Sequence, residues 1–169
     1  MNTSENILRF YSRLFNMDQK EIQIFLPATL LWQILTHKTY FHGKYPYNEK
    51  LAFQGRLVLK FHISLKILES ISIDKDNQIF TLEKIEAMMS PEKLGALALE
   101  YGILDVLRWK PAYEDTMKSG LLKVASESLC AIVGATFLYR GGAAAKKFIE
   151  EKILINNKLG FNNHETLNN

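Results

Sequence analysis

Hydrophobic positions follow a helical period along most of the chain. Apolar residues recur every three or four positions, as on one face of an amphipathic helix. The pattern predicts an all-α protein. The predicted helices cover about 3–15, 18–25, 28–39 and 47–70, begin at Thr81 and after Ser90, and cover about 116–139 and 143–154.

Two of these helices, 47–70 and 116–139, are apolar on nearly every side. Helices of this kind belong in the centre of a fold. Each carries an internal glycine, Gly55 in the first and Gly134 in the second. Glycine inside a helix costs about 0.5–1 kcal/mol relative to alanine, so it usually marks a close packing contact. We therefore expect close backbone contacts at both positions.

Turn and capping residues separate the helices. Ser90-Pro91 is a strong helix start. Gly141-Gly142 should stop the helix predicted over about 116–139. Residues 41–47, 71–80 and 107–111 are predicted loops or turns. The segment 156–169 is rich in asparagine and poor in apolar residues, which favours a flexible polar tail. We expect a single helical domain over residues 1–155, followed by this tail.

Composition narrows the function classes only a little. The chain has 169 residues, a net charge of +3 and a pI of about 8.9. A mildly basic surface is compatible with a polyanionic partner such as RNA, and equally with an ordinary solvated surface. The single cysteine, Cys130, excludes an internal disulfide and a cysteine metal cluster and indicates a reducing compartment. No apolar run is expected to reach transmembrane length, so we expect no membrane span.

Three segments together resemble the signature motifs of the ribonuclease III family. Residues 30–40 read Leu-Leu-Trp-Gln-Ile-Leu-Thr-His-Lys-Thr-Tyr, against the family's Leu-Leu-x-x-Ala-Leu-Thr-His-x-Ser-Tyr. Residues 48–59 read Asn-Glu-Lys-Leu-Ala-Phe-Gln-Gly-Arg-Leu-Val-Leu, against Asn-Glu-Arg-Leu-Glu-Phe-Leu-Gly-Asp-Ala-Val-Leu. Residues 126–138 resemble Asp-Ala-Leu-Glu-Ala-Leu-Ile-Gly-Ala-x-Tyr-Leu. The motifs keep the family's order and spacing over about residues 30–150, so the resemblance implies the ribonuclease III endonuclease-domain fold.

The chain departs from these motifs where the family holds its metal ions. The family's four carboxylate positions fall on Ala52, Arg56, Glu127 and Cys130, of which only Glu127 is acidic. Magnesium prefers oxygen ligands, usually carboxylates, and Arg56 would add a repelling charge. The resemblance therefore implies a catalytically inactive member with no metal or cofactor. An active nuclease with a rearranged metal site is the less favoured alternative.

Two residues near this site keep alternative interpretations. His37 is expected to be a hydrogen-bonded structural residue rather than a ligand. Arg56 could pair with Glu127 inside the molecule or meet an RNA phosphate, and the intramolecular pair is slightly favoured.

Candidate contact residues lie outside the motifs' acidic positions. Arg108, Trp109 and Lys110 could bind RNA by stacking and phosphate contact, or Trp109 could anchor a loop to the core. Lys146 and Lys147 should point outward from the last helix. The resemblance also implies dimerisation through the second motif, with Glu49 and Phe53 at the interface; simple core packing is the alternative for Phe53.

An inactive member of the family has a ready precedent. One branch of the family serves as structural proteins of the mitochondrial large ribosomal subunit. The resemblance thus implies a matrix protein that binds ribosomal RNA and neighbouring large-subunit proteins, either as a homodimer or paired with a second ribonuclease III-fold protein. The alternative is a non-ribosomal, inactive partner in an RNA-processing complex.

Overall fold

The computed structural model describes residues 3–71 and 82–155, which pack as helices around one hydrophobic core. Seven α-helices are present in these ranges: α1 (Thr3–Phe15), α2 (Gln19–Phe25), α3 (Ala28–Ile34), α4 (Glu49–Ile71), α5 (Leu82–Met88), α6 (Pro91–Glu100) and α7 (Leu121–Phe148). The described residues contain no β-strand, which confirms the all-α prediction. Most of the predicted loop 71–80, the helix start at Thr81 and the tail 156–169 lie outside the described residues.

Helices α4 and α7 cross with their backbones in direct contact. A Cβ atom built on Gly55 of α4 would lie 1.7 Å from the carbonyl oxygen of Cys130 in α7. A Cβ atom on Gly134 of α7 would lie 2.2 Å from the carbonyl oxygen of Leu51. Both distances are far inside van der Waals contact, so only glycine fits. The close contacts expected from the two glycines are confirmed.

Helix α4 is buried on one side only. Leu51, Leu59 and Ile63 lie in the core, as its apolar sequence predicted. A second face is exposed and is just as apolar, so the expectation of full burial is wrong. We call this face the α4 ridge, and its members are Phe53, Leu57, Phe61, Leu65 and Leu68.

Helix α3 ends at Ile34, five residues before the predicted end at 39. The following backbone pairs with a distant segment instead of continuing the helix. Arg108 N–H donates to Leu35 O at 2.8 Å, and His37 N–H donates to Arg108 O at 2.8 Å. Thr36 and Arg108 thereby form an isolated parallel bridge. This long-range pairing is invisible to local periodicity.

Glycines mark the start of α7 and a break inside it. Gly120, with φ of +85°, precedes Leu121, so the predicted start at 116 is wrong. Ser119 Oγ closes the preceding loop by donating to the Tyr113 and Asp115 carbonyls at 3.1 Å. Gly141, with φ of +84°, breaks the helix where a stop was predicted. The helix resumes directly after Gly141 and continues to Phe148. A π-helical turn, Ile149–Ile153, follows it.

One described segment, Leu121–Ile153, is long and apolar enough to cross a membrane by length and composition. This corrects the expectation that no apolar run reaches that length. In the fold, 72% of its most apolar window is buried inside the protein. That burial is typical of the core helix of a globular domain.

Candidate functional site

Asn48 fixes the start of α4 against its neighbours. Its side chain is buried, and Nδ2 donates to Ile34 O at 3.0 Å and to Ser128 Oγ at 3.1 Å. Its backbone N–H donates to Thr36 O at 2.9 Å. A buried amide with these partners sets the register of α4 against α7. Residues 52 and 56 of α4 are thus brought beside residues 127 and 130 of α7.

The four positions where the signature motifs place carboxylates hold a mixed set of groups. Ala52 and Cys130 are buried. Burial raises the pKa of the Cys130 thiol to about 11, so it stays protonated at neutral pH. The half-buried Arg56 lies within hydrogen-bonding reach of that thiol. Of the four residues, only Glu127 is acidic.

Glu127 pairs with His37, which corrects the expected pair with Arg56. His37 Nε2 lies 3.4 Å from Glu127 Oε2, and His37 Nδ1 lies 2.9 Å from Thr39 Oγ1. Thr39 Oγ1 in turn accepts from Lys110 N–H at 3.0 Å. Among the ion pairs of the described residues, none joins Arg56 to Glu127. The chain of contacts makes His37 a hydrogen-bonded structural residue, as predicted, although its acidic partner was missed.

These groups do not fit a magnesium ion. Magnesium demands near-ideal octahedral oxygen coordination, usually with carboxylates. The site offers one carboxylate, already engaged by His37, beside a methyl group, a protonated thiol and a fixed cation. No group of three or more His, Cys, Asp or Glu side chains suited to a metal occurs within residues 3–71 and 82–155. The groups at this site therefore support no metal-dependent step.

Comparison with known proteins agrees with the motifs and the fold. The family model described as ribonuclease-III-like matches residues 27–157, which is most of the chain. The chain belongs to the ribonuclease III-like family. A solved relative, the nuclease domain of ribonuclease III from Campylobacter jejuni, superimposes with a TM-score of 0.72 at 22% identity, over 92% of this chain and 97% of that one. The predicted ribonuclease III fold is confirmed.

Curated relatives of two kinds match the chain. The large ribosomal subunit protein mL57 of Neurospora crassa is 32% identical over 143 residues, covering 73% of this chain and 53% of the relative. Ribonuclease 3 of Aromatoleum aromaticum is 32% identical over 124 residues, covering 72% and 52%. The chain thus spans about half the length of these curated relatives. The chain is thus similar in sequence both to a ribosomal protein and to a ribonuclease.

The pair formed by His37 and Glu127 makes a pH-dependent contribution to the stability of this ribonuclease III-like domain. The hydrogen bond from His37 holds the pKa of Glu127 below its ordinary 4.5. A lowered carboxyl pKa stabilises the fold above 4.5, and that stability is lost as pH falls through the folded value. We expect Glu127→Gln to lower the free energy of unfolding by roughly 1 kcal/mol at neutral pH and by progressively less as pH falls below 4.5.

Urea denaturation of both proteins at several pH values measures this difference. Glu114→Gln, which changes an exposed loop carboxylate, is the matched control and should leave stability unchanged. A Glu127→Gln deficit that stays constant as pH falls well below 4.5 would contradict the assigned hydrogen bond.

Arg108 lies among aromatic rings. Its guanidinium carbon is 4.5 Å from the Trp32 ring centre, 4.4 Å from that of Tyr40 and 5.6 Å from that of Tyr45. These cation–π contacts hold the side chain half-buried. The contacts therefore help to order the surrounding loop. Trp109 is half-buried beside it, and Lys110 is exposed. The sequence did not single out this ring cluster.

The remaining predicted contact residues lie on the surface of α4 and α7. Phe53 is 63% exposed, so the core-packing alternative is wrong. Glu49 is exposed and pairs with Lys38 at 3.2 Å. Lys147 is exposed, and Lys146 lines a groove of about 570 Å³. That groove also includes Leu57, Phe61 and Phe137, so it runs along the α4 ridge.

Proposed function

We propose that this chain is a structural constituent of the mitochondrial large ribosomal subunit, located in the matrix. It would act as a nuclease-dead ribonuclease III-like domain that binds ribosomal RNA and neighbouring proteins. The observation that carries the proposal is the pairing of two facts. The chain is 32% identical over 143 residues to the large ribosomal subunit protein mL57 of Neurospora crassa. Three of the four positions where the family places carboxylates hold Ala52, Arg56 and Cys130.

The proposed RNA contacts are basic and aromatic side chains on the surface. Trp109 and Lys110 offer a ring and a cation next to Arg108, while Lys146 and Lys147 offer cations on the last helix. Arg56 supports the proposal in a second way. Arg56 has no carboxylate partner among the ion pairs of the described residues, and the Cys130 thiol within its reach is uncharged, so its guanidinium could meet a phosphate where the family places a metal ion. Contacts of this kind give sequence-independent, salt-sensitive binding.

A second candidate is an inactive partner of an active nuclease outside the ribosome. The match to ribonuclease 3 over 72% of the chain supports this second candidate, because it shows similarity to a nuclease as well as to a ribosomal protein. Gradient sedimentation of a mitochondrial lysate separates the two. Migration with the large subunit at moderate salt is expected. Migration with a smaller, nuclease-containing complex would replace the ribosomal proposal with the alternative.

We also propose that the α4 ridge binds a second ribonuclease III-fold chain, either a copy of this one or a relative. Five large apolar side chains are exposed along one helix face, and Leu138 of α7 is exposed as well. Exposed apolar patches of this extent mark interaction surfaces. Glu49 lies at the N-terminal end of the same helix, where it would border the interface.

Phe53→Glu tests the ridge. Burying a new carboxylate in place of an aromatic anchor should weaken pairing by about 30-fold or more, as for other interface hot spots. Ile24→Glu, an equally drastic change at an exposed position on α2, is the control and should not affect pairing. Analytical ultracentrifugation at high protein concentration, alone and with the candidate partner, measures the association. Monomer alone in both mixtures would refute the interface.

A further inference from the structure

Two surface segments, 37–47 and 107–112, are joined by hydrogen bonds near the four positions where the signature motifs place carboxylates. The parallel bridge between Thr36 and Arg108 joins their bases. The bond from Lys110 N–H to Thr39 Oγ1, at 3.0 Å, joins them further out. The two segments therefore present one continuous surface.

Three aromatic rings form a cluster on this surface. The ring centres of Tyr40 and Phe41 are 4.7 Å apart, those of Tyr40 and Tyr45 are 5.9 Å apart, and those of Phe41 and Tyr45 are 5.7 Å apart. Arg108 supports the cluster by packing against Tyr40 and Tyr45. Phe41 is nevertheless 57% exposed and Tyr45 48% exposed. The cluster is ordered by contacts on its inner side and open on its outer side.

The backbone below the cluster is held in an unfavourable conformation. Phe41, His42 and Gly43 have φ values of +44°, +53° and +73°. A bulky residue in the left-handed region is a true outlier and persists only where the surroundings enforce it. A loop that merely joined α3 to α4 would be served better by glycine or asparagine at 41. Such outliers concentrate at functional sites.

The formally charged side chains within the two segments are all cationic. Segments 37–47 and 107–112 contain Lys38, Lys44, Arg108 and Lys110 and no Asp or Glu. Among the ion pairs of the described residues, Lys38 is the only one of these four with a carboxylate partner, Glu49. Exposed rings beside unpaired cations match the combination that binds single-stranded nucleic acid.

We propose that the Tyr40–Tyr45 loop is a stacking platform for an unpaired RNA base. The base would stack on the open faces of Phe41 and Tyr45, and Lys44 and Lys110 would contact the flanking phosphates. This inference rests on the proposed RNA-binding function and adds the class of RNA bound, which is an unpaired nucleotide instead of a duplex. The excess of cations favours RNA over a protein partner.

The test measures binding of a short single-stranded RNA that contains a fluorescent adenine analogue, whose emission is quenched by stacking. Phe41→Asn removes the ring, and asparagine tolerates the left-handed backbone. We expect about 5- to 150-fold weaker binding and loss of quenching. Phe41→Tyr should bind like the wild type. Tyr113→Asn, at an exposed ring on another loop, is the control and should bind normally.

A salt series separates the two kinds of contact. Lys44→Gln should flatten the salt dependence of binding, whereas Phe41→Asn should leave the slope unchanged. Equal affinity and quenching for Phe41→Asn and the wild type would overturn the platform while leaving RNA binding intact. Absence of quenching by the wild type would also overturn it. Normal RNA binding by Phe41→Asn with loss of ribosome association would instead make the loop a protein contact. Failure of the wild type to sediment with ribosomes would count against the proposed function itself.

Discussion

Replacing Gly55 by alanine is expected to lower the free energy of unfolding by about 3 kcal/mol or more. The added Cβ atom would lie 1.7 Å from the carbonyl oxygen of Cys130 and 2.9 Å from the backbone nitrogen of Gly134. Both neighbours are backbone atoms, so no side-chain rotation can relieve the clash and α4 must move away from α7. For a domain of this size we expect the melting temperature to fall by about 6–12 °C.

Gly142→Ala is the matched control. A Cβ atom there meets only Phe137 Cε2, at 3.7 Å, which is an ordinary contact. Thermal and urea unfolding should show Gly142→Ala to be as stable as the wild type or slightly more so. Equal stability of Gly55→Ala and Gly142→Ala would show that the two core helices do not cross at this point.

Purified protein incubated with double-stranded RNA and magnesium or manganese is expected to leave the RNA intact. The site holds one carboxylate and a fixed cation. At roughly 4 Å and an effective dielectric constant near 20, Arg56 would repel each unit charge of an ion by about 4 kcal/mol. Two-metal hydrolysis needs ions to activate water and to stabilise the leaving oxygen. The expected rate is therefore that of RNA without enzyme.

Glu127→Ala controls for contaminating nuclease, because any cleavage that survives this change does not come from the site. A bacterial ribonuclease 3 preparation in the same buffer shows that the RNA is a good substrate. Specific cleavage that disappears in Glu127→Ala would make the chain an active enzyme with a rearranged metal site.

The sequence predicted the parts of the fold that local chemistry determines. The apolar runs of α4 and α7 predicted two core helices, and the glycines within them predicted close backbone contacts at Gly55 and Gly134. Ser90 is the predicted helix start, and its side chain accepts a hydrogen bond from the backbone N–H of Lys93 at the start of α6. The motif positions 52, 56, 127 and 130 were identified by their resemblance to the family, and the fold brings the two helices that carry them together.

Long-range contacts could not be predicted from local patterns in the sequence. The early end of α3 depends on pairing with Arg108, more than seventy positions further along the chain. The partner of Glu127 proved to be His37 instead of Arg56, because the 36–39 turn lies against α7. The exposed α4 ridge could not be distinguished from the core by composition, since the exposed and buried faces of α4 carry the same types of apolar residue. The prediction of one domain over 1–155 with a flexible tail stays a prediction.

The proposed role of this domain, as a non-catalytic part of the large mitochondrial ribosomal subunit, predicts stable association with that subunit. Sucrose-gradient sedimentation of lysed mitochondria tests it most directly, with magnesium lowered so that the two ribosomal subunits separate. We predict that the protein follows the large subunit and remains with it after a wash at moderate salt. Recovery at the top of the gradient, or in a separate complex with an active nuclease, would contradict the ribosomal account.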